Sequence, residues 1–329
     1  MSDISAGIIG VGMYAPEKVL TNAELAGTLN TTAEWIETMS GIRERHIAAP
    51  SQAASDLGAI AAQRALARAG VSPDEVDLII VSTSTPDMQF PSTACIIQER
   101  LGIKNIPAFD LTAVCSGFVY ALTVGAQFIA NEFYRTVLVI GTEAVSRVIN
   151  WSEKETCMLI GDGAGAVVLR QVPAGYGVLS AKLGADGSGA SFMMVPAGGA
   201  RMPVTAEVLE KKMNKIQMNG SEVFKFAMKM LPEVTEQALA LANLRTEELK
   251  LIIPHQANRR IIEAAARRME LPMEKFMVNV ERYGNTSSAT IPIALHEALE
   301  TGRIESGDLI ALTGFGGGLA WGSLIMRWL

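Results

Sequence analysis

The sequence is poor in the residues that build metal sites and disulfide frameworks. Its 329 residues include 3 cysteines, 3 histidines and only 6% aromatic residues. Three cysteines cannot all pair, no CxxC occurs, and no cysteine has a histidine at the spacing of zinc ligands. We therefore expect neither a metal site nor a disulfide framework. No apolar run approaches the roughly 18 residues of a membrane helix, so we expect no membrane span.

Positive charge is also in short supply. The chain has 28 Lys and Arg against 34 Asp and Glu, a net charge of −6, which does not favour nucleic acid or an anionic membrane as a partner. Residues 1–5 lack the positive segment of a secretory signal. Together with the unpaired cysteines, this predicts a cytoplasmic protein. With 49% apolar residues, the chain has enough core for two domains.

One pattern of helix, turn and strand occurs twice. Residues 55–69 predict an alanine-rich helix, and residues 76–81 predict a buried strand after a turn. Residues 236–253 repeat this order without a gap. The offset, measured between the first residues of two Leu-Ile-Ile segments, is 251 − 78 = 173. Two amphipathic helices can resemble each other by chance, so the order of later segments is needed as a check.

A second pair of strands agrees with the first. Residues 137–140 match residues 309–312 at an offset of 309 − 137 = 172. We predict an α/β protein made of two duplicated βα-rich halves, residues 1–172 and 173–329. If the halves pack about a pseudo-twofold axis, equivalent strand ends converge on a shared cleft, where open α/β sheets usually bind ligands.

Cys115 lies where a predicted strand, residues 107–111, gives way to a predicted helix, residues 116–131. Unpaired N–H groups and the helix dipole favour a negative group at such a position. We therefore expect the pKa of this thiol to fall by about 1 to 1.5 units, which makes Cys115 a candidate nucleophile. The alternative, inert packing, is the commoner fate of a free cysteine.

The scarcity of histidine shortens the search for a partner. His46 lies in a charged stretch, residues 40–46, that predicts a solvated loop, and His296 lies on an amphipathic helix. His255 ends a buried strand and opens the segment His-Gln-Ala-Asn, at the strand edge where the duplication predicts the cleft. It is the candidate of the three, against the alternative of a satisfied buried imidazole.

Two further segments follow predicted strands. Asn285 comes just after residues 277–280, which predict a strand, although a turn or helix-cap asparagine is the plainer interpretation. Residues 314–318 form a glycine-rich turn whose N–H groups suit an oxyanion. The glycine-rich residues 161–165 precede a strand rather than a helix, so we interpret them as a tight turn and not as a dinucleotide loop.

Basic residues gather on two predicted helices. Arg260 and Arg267 are seven apart and share a face of the helix that also carries Arg259, while Lys225 lies on another helix. Such faces are usually only solvated. On an acidic protein they are also candidates for docking an acidic partner or a coenzyme phosphate.

Together these segments resemble one family. The segments Thr-Ala-Val-Cys-Ser-Gly-Phe at Cys115, His-Gln-Ala-Asn at His255, Tyr-Gly-Asn-Thr-Ser at Asn285 and Phe-Gly-Gly-Gly at residues 315–318 resemble β-ketoacyl-acyl carrier protein synthase III, the initiating condensing enzyme of type II fatty acid synthesis. The resemblance implies the thiolase fold, with duplicated halves in a five-layer αβαβα arrangement and a homodimer. It implies acyl-coenzyme A and malonyl-acyl carrier protein as substrates, with no cofactor.

The resemblance also implies residue roles. Cys115 is the nucleophile of a ping-pong reaction, and His255 and Asn285 hold the thioester carbonyl of the malonyl unit during its decarboxylation. The backbone N–H groups of Cys115 and Gly317 form the oxyanion hole. Carrier docking is expected at Lys225, Arg259, Arg260 and Arg267. The residues expected to bind substrate are Trp35, Phe90, Lys154, Gly220, Phe224, Asn258 and Leu319.

Three positions depart from the family pattern. Met39 stands where an arginine is common, Lys154 replaces another arginine, and Leu319 stands where an aromatic is frequent. Methionine donates no hydrogen bond, and lysine cannot form the planar bidentate hydrogen bonds of an arginine. We therefore expect the binding of the coenzyme to differ.

The same fold admits other activities. One alternative is a coenzyme A-dependent acyltransferase or ketide-forming enzyme of secondary metabolism, and another is a non-catalytic scaffold. A thiolase would need a second cysteine in the cleft, but Cys95 lies in a helix-like context and Cys157 in a strand-like one.

Overall fold

The computed structural model describes residues 4–329, which fold into two large sheets separated by a layer of helices. The strands are β1 (Ile4–Tyr14), β2 (Lys18–Thr21), β3 (Glu44–Ile47), β4 (Leu78–Ser82), β5 (Ala108–Leu111), β6 (Thr136–Glu143), β7 (Gly163–Pro173), β8 (Gly177–Ala185), β9 (Met193–Met194), β10 (Gln217–Met218), β11 (Leu251–Pro254), β12 (Leu309–Gly316) and β13 (Ala320–Arg327).

The helices differ widely in length. They are α1 (Asn22–Leu29), α2 (Ala33–Ser40), α3 (Ala54–Ala69), α4 (Thr93–Arg100), α5 (Gly117–Ala130), α6 (Lys154–Cys157), α7 (Ala206–Glu210), α8 (Gly220–Leu241), α9 (Arg259–Arg268), α10 (Val280–Tyr283) and α11 (Thr290–Glu300). None of them, across residues 4–329, is both long enough and apolar enough to cross a bilayer.

The two sheets sandwich a central helical layer. The first has the order β1-β7-β6-β4-β5 and the second β11-β12-β13-β8. Strand β4 is parallel to β5 and β6, as β11 is to β12, whereas β7 and β13 run antiparallel to their neighbours. Helix α3 covers the outer face of the first sheet, α5 and α11 lie between the sheets, and α8 with α9 covers the second. The result is five layers in the order αβαβα.

The predicted repeat corresponds to observed elements. The helix predicted at residues 55–69 is α3. The two pairs of predicted strands are β4 with β11 and β6 with β12. A 3₁₀ turn precedes α5 and another precedes α11, and each begins on a residue with positive φ: 47° at Val114 and 50° at Ser287. Their separation, 287 − 114 = 173, is the offset of the predicted repeat.

The prediction of a strand at residues 277–280 is wrong. Only Phe276 forms a bridge, to Ile252, and the chain then turns into α10. The reason is the side chain of Gln256, which donates to the Met277 carbonyl at 3.0 Å and accepts from the Asn279 N–H at 3.1 Å. These bonds take the place of a neighbouring strand, because they satisfy the same backbone groups.

The solvated loop predicted at residues 40–46 is also wrong. Residues Glu44–Ile47 form β3, paired with β2, so His46 lies on a strand. Arg45 is fully buried, and its guanidinium donates to Asn22 Oδ1 at 2.8 Å and to the Met158 carbonyl at 2.7 Å. Burial lowers the pKa of Arg45 to about 10, which still leaves it charged at neutral pH.

Cys157 lies at the end of helix α6, not in the strand-like context that the sequence indicates. The helix has 4 residues, too few to show a helical period in the sequence. Cys95 lies on α4, in the helical context predicted for it, and is exposed.

Candidate active site

The structure brings the three predicted catalytic residues to one cavity. Cys115, His255 and Asn285 all line an open space of about 1020 Å³. Cys115 comes three residues after Thr112, where β5 has ended, and His255 directly follows β11. Because both strands belong to parallel pairs, their carboxyl ends lie at the sheet edges where ligand sites usually form.

Cys115 lies in the 3₁₀ turn Val114–Ser116, which leads directly into α5. The thiol is buried, and its Sγ is 3.5 Å from the hydroxyl of Ser287. Gly316 packs against it so closely that an added Cβ would lie 2.9 Å from the Cys115 N and Cβ atoms. Only glycine lets the β12 end approach the nucleophile in this way.

The predicted fall in the Cys115 pKa is not what the structure shows. Burial raises the pKa of the thiol to about 12, and the nearby Glu143 charge raises it too, whereas the hydrogen bond between the thiol and Ser287 lowers it. A helix terminus contributes up to about 2 kcal/mol, or about 1.5 pKa units, which is less than the rise of about 3 from 9.0. The position at the helix start is as predicted, but the helix alone does not produce a thiolate.

His255 is a buried, neutral imidazole. Its backbone N–H donates to the Thr313 carbonyl at 2.8 Å, and its ring meets the Phe315 ring edge-on at a centroid distance of 5.1 Å. Burial lowers the pKa of His255 to about 3, so at neutral pH the ring carries a single N–H. Whether that proton is on Nδ1 or Nε2 decides what the residue offers to the cavity.

Thr290 is the partner that decides this tautomer. Its hydroxyl lies 2.7 Å from His255 Nδ1 and 2.9 Å from the Ser287 carbonyl, and it has a single proton to give. The Ser287 carbonyl already accepts the backbone N–H of Thr290. If the hydroxyl proton goes to Nδ1, the imidazole proton is on Nε2 and can be donated to a ligand.

Asn285 is oriented by its own turn. Its Oδ1 accepts the Ser287 N–H at 2.9 Å, which leaves the NH₂ group as the free end of the side chain. Its backbone is held on both sides, because its N–H donates to the Leu159 carbonyl at 2.7 Å and its carbonyl accepts the Gly161 N–H at 3.1 Å. The amide is therefore a preorganised donor at the cavity wall.

The glycine-rich turn lies beside the nucleophile. Gly314 and Gly316 approach the backbone of Ser116 and Cys115, and Gly317 is next to Val114 and Met193. Within residues 4–329 the N–H of Gly317 donates to no protein acceptor. A free N–H at this place suits a developing oxyanion, so the oxyanion hole stays a prediction with support from the geometry.

The cavity also gathers most of the residues predicted to bind substrate. Five of them line it: Trp35, Lys154, Gly220, Phe224 and Asn258. The Lys154 ammonium lies over the Trp35 ring, 5.0 Å from its centroid. Asn258 caps α9 and donates from Nδ2 to the Met39 carbonyl at 3.0 Å.

The other two predicted substrate contacts lie outside this cavity. Phe90 is 82% exposed in the loop after β4, and Leu319 is buried in the glycine-rich turn against Gly189. Neither side chain therefore shapes the cavity that the single chain encloses.

The predicted docking residues are all exposed but differ in their partners. Lys225 pairs with Glu222 at 2.8 Å and Arg259 with Glu263 at 2.9 Å, each within its own helix. Arg260 lines the cavity, with Nη1 3.9 Å from the Met39 sulfur and its guanidinium 5.7 Å from the Phe224 ring centroid. It therefore supplies a cation next to the position where methionine replaces an arginine.

Arg267 is also separate from the cavity lining. It is exposed near the end of α9 and is absent from the residues that line the cavity.

Glu143 is not among the residues predicted from the sequence. This carboxyl group ends β6, is fully buried, and accepts hydrogen bonds from residues on both halves of the chain. Its donors are Ser84, Thr85, Ser287 and Ser288. A signal was present, because a lone carboxylate comes three residues after the apolar residues 137–140, at the carboxyl end of a buried parallel strand.

Family models match two parts of the chain. The model described as 3-oxoacyl-[acyl-carrier-protein (ACP)] synthase III matches residues 109–187, and the model of its C terminal part matches residues 239–328. A β-ketoacyl-[acyl-carrier-protein] synthase III from Caldanaerobacter subterraneus subsp. tengcongensis is 51% identical over 325 residues, 99% of this chain and 98% of that protein.

Solved structures agree with these matches. The crystal structure of 3-oxoacyl-[acyl-carrier-protein] synthase III from Aquifex aeolicus VF5 is similar with a TM-score of 0.91 and 43% identity, over 98% of this chain and 100% of that one. The priming β-ketosynthase from the R1128 polyketide biosynthetic pathway is similar with a TM-score of 0.90 and 33% identity, over 98% of this chain and 96% of that one.

Proposed function

Because the chain belongs to the 3-oxoacyl-[acyl-carrier-protein] synthase III family, which has the thiolase fold, we propose that Cys115, His255 and Asn285 carry out that family's reaction here. The chain is an acyltransferase of fatty acid biosynthesis that condenses an acyl-coenzyme A primer with malonyl-acyl carrier protein. We assign these roles because the three side chains line one cavity.

The first half-reaction forms an acyl-enzyme. The Cys115 sulfur attacks the primer's thioester carbonyl, coenzyme A leaves as its thiolate, and the acyl group stays on Sγ. The tetrahedral intermediate carries a negative oxygen, which the N–H groups of Cys115 and Gly317 stabilise. The free Gly317 N–H and the close contact of Gly316 with Cys115 support this assignment.

The second half-reaction consumes malonyl-acyl carrier protein. Loss of carbon dioxide leaves negative charge on the malonyl thioester oxygen, and two neutral donors, His255 Nε2–H and the Asn285 amide, stabilise it. The carbanion attacks the acyl carbonyl, and the Cys115 thiolate leaves. Neutrality of His255 supports this role, because a buried imidazole with a pKa of about 3 donates a hydrogen bond without a counter-ion.

Coenzyme A enters as part of a substrate, and the reaction needs no resident cofactor. We assign its adenine end to Trp35 and Lys154, and its pantetheine arm to Gly220, Phe224 and Asn258, all of which line the same cavity. The contact of the Lys154 ammonium with the Trp35 ring supports this assignment, because it shows that the face of the ring is accessible. An adenine ring can stack on the same face.

We assign the chain to a homodimer in the cytoplasm. The loop after β4 supports the dimer, because it exposes two large apolar side chains, Met88 at 49% and Phe90 at 82%, that a partner surface would cover. In that dimer Phe90 reaches the acyl pocket of the second copy, and Leu319 borders the pocket from within. We also retain residues 1–172 and 173–329 as the two halves.

The alternatives have less support. Identity to the synthase III from Caldanaerobacter is 51%, against 33% to the priming β-ketosynthase of a polyketide pathway. A thiolase needs a second cysteine at the nucleophile, but of the three cysteines only Cys115 lines the cavity. A non-catalytic scaffold does not account for Cys115, His255 and Asn285 lining one cavity.

Mass spectrometry and carbon dioxide release test the assigned roles. After incubation with acyl-coenzyme A, the acyl mass should be found on Cys115, be lost in Cys115→Ser and be kept in the control Cys95→Ser. His255→Ala should lower decarboxylation of malonyl-acyl carrier protein at least 100-fold and keep Cys115 acylation, because a lost oxyanion donor costs about that much. The control His296→Ala should retain both activities. An acyl group elsewhere than on Cys115 would contradict the proposal.

A further inference from the structure

A chain of hydrogen bonds connects the nucleophile to a buried carboxyl group. The Cys115 sulfur lies 3.5 Å from the Ser287 hydroxyl, which in turn lies 3.1 Å from Glu143 Oε1. All three residues are at least 95% buried, at 5%, 5% and 0% exposure. With Cys115 as a thiol, S–H donates to Ser287 and the Ser287 O–H donates to Glu143.

The surroundings of Glu143 are those of a carboxylate. Its two oxygens accept from the Ser84 N–H and from the hydroxyls of Ser84, Thr85, Ser287 and Ser288. The Thr85 hydroxyl itself accepts the Ala144 N–H at 2.9 Å, so its own proton is directed at the carboxyl at 2.6 Å. A carboxylate is acceptor-only and matches these donors, whereas a protonated carboxyl would face them with one donor of its own.

We propose that Ser287 and Glu143 form a proton relay that takes the Cys115 proton during acylation and returns it during condensation. The proposal rests on Cys115 being the nucleophile, as assigned above. Ser287 touches the reacting sulfur and Glu143 acts through it, as a positioning residue. The relay supplies what the helix start does not, a place for the proton of a thiol that burial keeps neutral.

Protons and charge balance in both half-reactions. As Sγ attacks the primer, its proton passes to Ser287 Oγ and the Ser287 proton passes to Glu143. The C–S bond to coenzyme A breaks, and the coenzyme thiolate is protonated by solvent. In condensation the new carbon–carbon bond expels the Cys115 thiolate, which takes a proton from Ser287 as Glu143 returns its own. The negative charge that the malonyl carboxylate brings thus ends on Glu143. Glu143 is then a carboxylate again, as it was before the cycle.

The electrostatics agree with this arrangement. Burial raises the pKa of Glu143, while the bonds from Thr85, Ser288 and Ser84 oppose the rise, so this carboxyl group is a better proton acceptor than an exposed one. Its charge in turn raises the pKa of Cys115. The groups around Glu143 on the neighbouring segments are hydroxyls. Of the titratable residues that line the Cys115 cavity, His255 is neutral, and the charged side chains are Lys154, Glu155 and Arg260.

Infrared difference spectroscopy of the unmodified chain tests the relay directly. Acylation by acetyl-coenzyme A should add a protonated-carboxyl band that is absent from the resting protein and from Glu143→Gln. Mass spectrometry of the same sample reports whether Cys115 is acylated. An acyl group elsewhere than on Cys115 overturns the nucleophile assignment, whereas acylated Cys115 without the new band, or with the band already present at rest, overturns the relay alone.

The rate of Cys115 alkylation by iodoacetamide, followed from pH 6 to 10, gives a second test with opposite signs. If Glu143 only places a charge near the sulfur, Glu143→Gln makes the thiol more acidic and the rate at pH 7 rises. If Glu143 accepts the proton, the rate falls at least tenfold and the profile moves to higher pH. Ser287→Ala should show the same fall.

Ser288→Ala is the matched control. Its hydroxyl bonds the same Glu143 oxygen at 2.8 Å and also the Ser82 carbonyl, but it is not part of the path to Cys115. We expect its alkylation rate to stay within threefold of the unmodified chain. A fall equal to that of Ser287→Ala, or a faster rate in Glu143→Gln, would overturn the relay.

Discussion

The hydroxyl proton of Thr290 controls what His255 offers to a substrate, because a neutral imidazole has only one N–H. In the structure this hydroxyl is within hydrogen-bond distance of both His255 Nδ1 and the Ser287 carbonyl. Donation to Nδ1 places the ring proton on Nε2, the tautomer that the proposed decarboxylation step requires. Thr290 is thus a positioning residue that acts through the imidazole.

Thr290→Val should remove this control without changing the side-chain shape. We expect decarboxylation of malonyl-acyl carrier protein to fall about 10- to 100-fold, since no hydroxyl then fixes the ring proton on Nε2 and the oxyanion donor is weakened. Acylation of Cys115, measured by mass spectrometry, should change less than about threefold. Thr286→Val is the control, because the Thr286 hydroxyl is buried without a hydrogen-bond partner among residues 4–329. Equal losses in both variants would show a packing effect instead.

Helix α9 carries two of the proposed docking residues, Arg260 and Arg267, which differ in their position relative to the cavity. Arg260 lines the cavity with Phe224 and Met39, so reversing its charge would disturb both substrates. Arg267, two turns further on, is exposed and outside the cavity lining. It is therefore the cleaner probe of docking by an acidic carrier protein.

Arg267→Glu should raise the KM for malonyl-acyl carrier protein about three- to tenfold and leave the KM for acyl-coenzyme A unchanged. A lost attraction of about 0.7 to 1.4 kcal/mol corresponds to that factor. The difference should shrink in high salt, because exposed charges are screened. Lys104→Glu, the same charge change at an exposed loop residue between α4 and β5, should raise neither KM. Equal increases for the two substrates would contradict the docking role.

Elements with a strong apolar period could be predicted from the sequence. Helix α3 and the paired strands β4 and β11 follow from pattern alone, and Cys115 and His255 follow because they stand next to such elements. Prediction failed where a side chain replaces a backbone partner, as Gln256 does beside residues 277–279. The sequence predicts solvent exposure for Arg45, because a charge usually avoids burial, but inside the protein three carbonyl or amide oxygens accept hydrogen bonds from its guanidinium.

The catalytic cavity could be predicted only in part. Motifs and strand ends point to single residues, and they brought out Cys115, His255 and Asn285. They do not report burial, and burial turns the expected fall in the Cys115 pKa into a rise to about 12. Glu143 was missed for a related reason, since its importance comes from contacts with residues 144 positions away along the chain.

Burial of neutral groups at the cavity makes the stability of the whole molecule depend on pH. His255 has a pKa of about 3 when folded and about 6.5 when unfolded, so between these values the unfolded chain binds a proton that the folded chain does not. Stability from this residue is therefore present above pH 6.5 and is lost as pH falls. Cys115, with its raised pKa, contributes in the opposite sense, and that stability is lost as pH rises toward 12.

The free energy of unfolding in urea, measured at several pH values, should reveal the contribution of the buried His255 to stability. Between pH 7 and pH 5 the unmodified chain should lose about 2 kcal/mol more than His255→Asn, because only the former has the buried imidazole. Other groups titrate in both chains and cancel in the comparison. Tryptophan fluorescence follows the transition. An equal loss in both chains would mean that His255 is solvated and protonated in the folded state.

The packing of the two 3₁₀ turns bears on how many acyl groups one chain can hold. The repeat offset places Ser288 at the position equivalent to Cys115, since 115 + 173 = 288. Two equivalent halves with two open nucleophiles would hold two acyl groups. Yet Ser288 is fully buried, and its hydroxyl is bonded to Glu143 and the Ser82 carbonyl. Of these two equivalent positions only Cys115 lines the cavity, so under the proposed mechanism each chain should hold a single acyl group at a time.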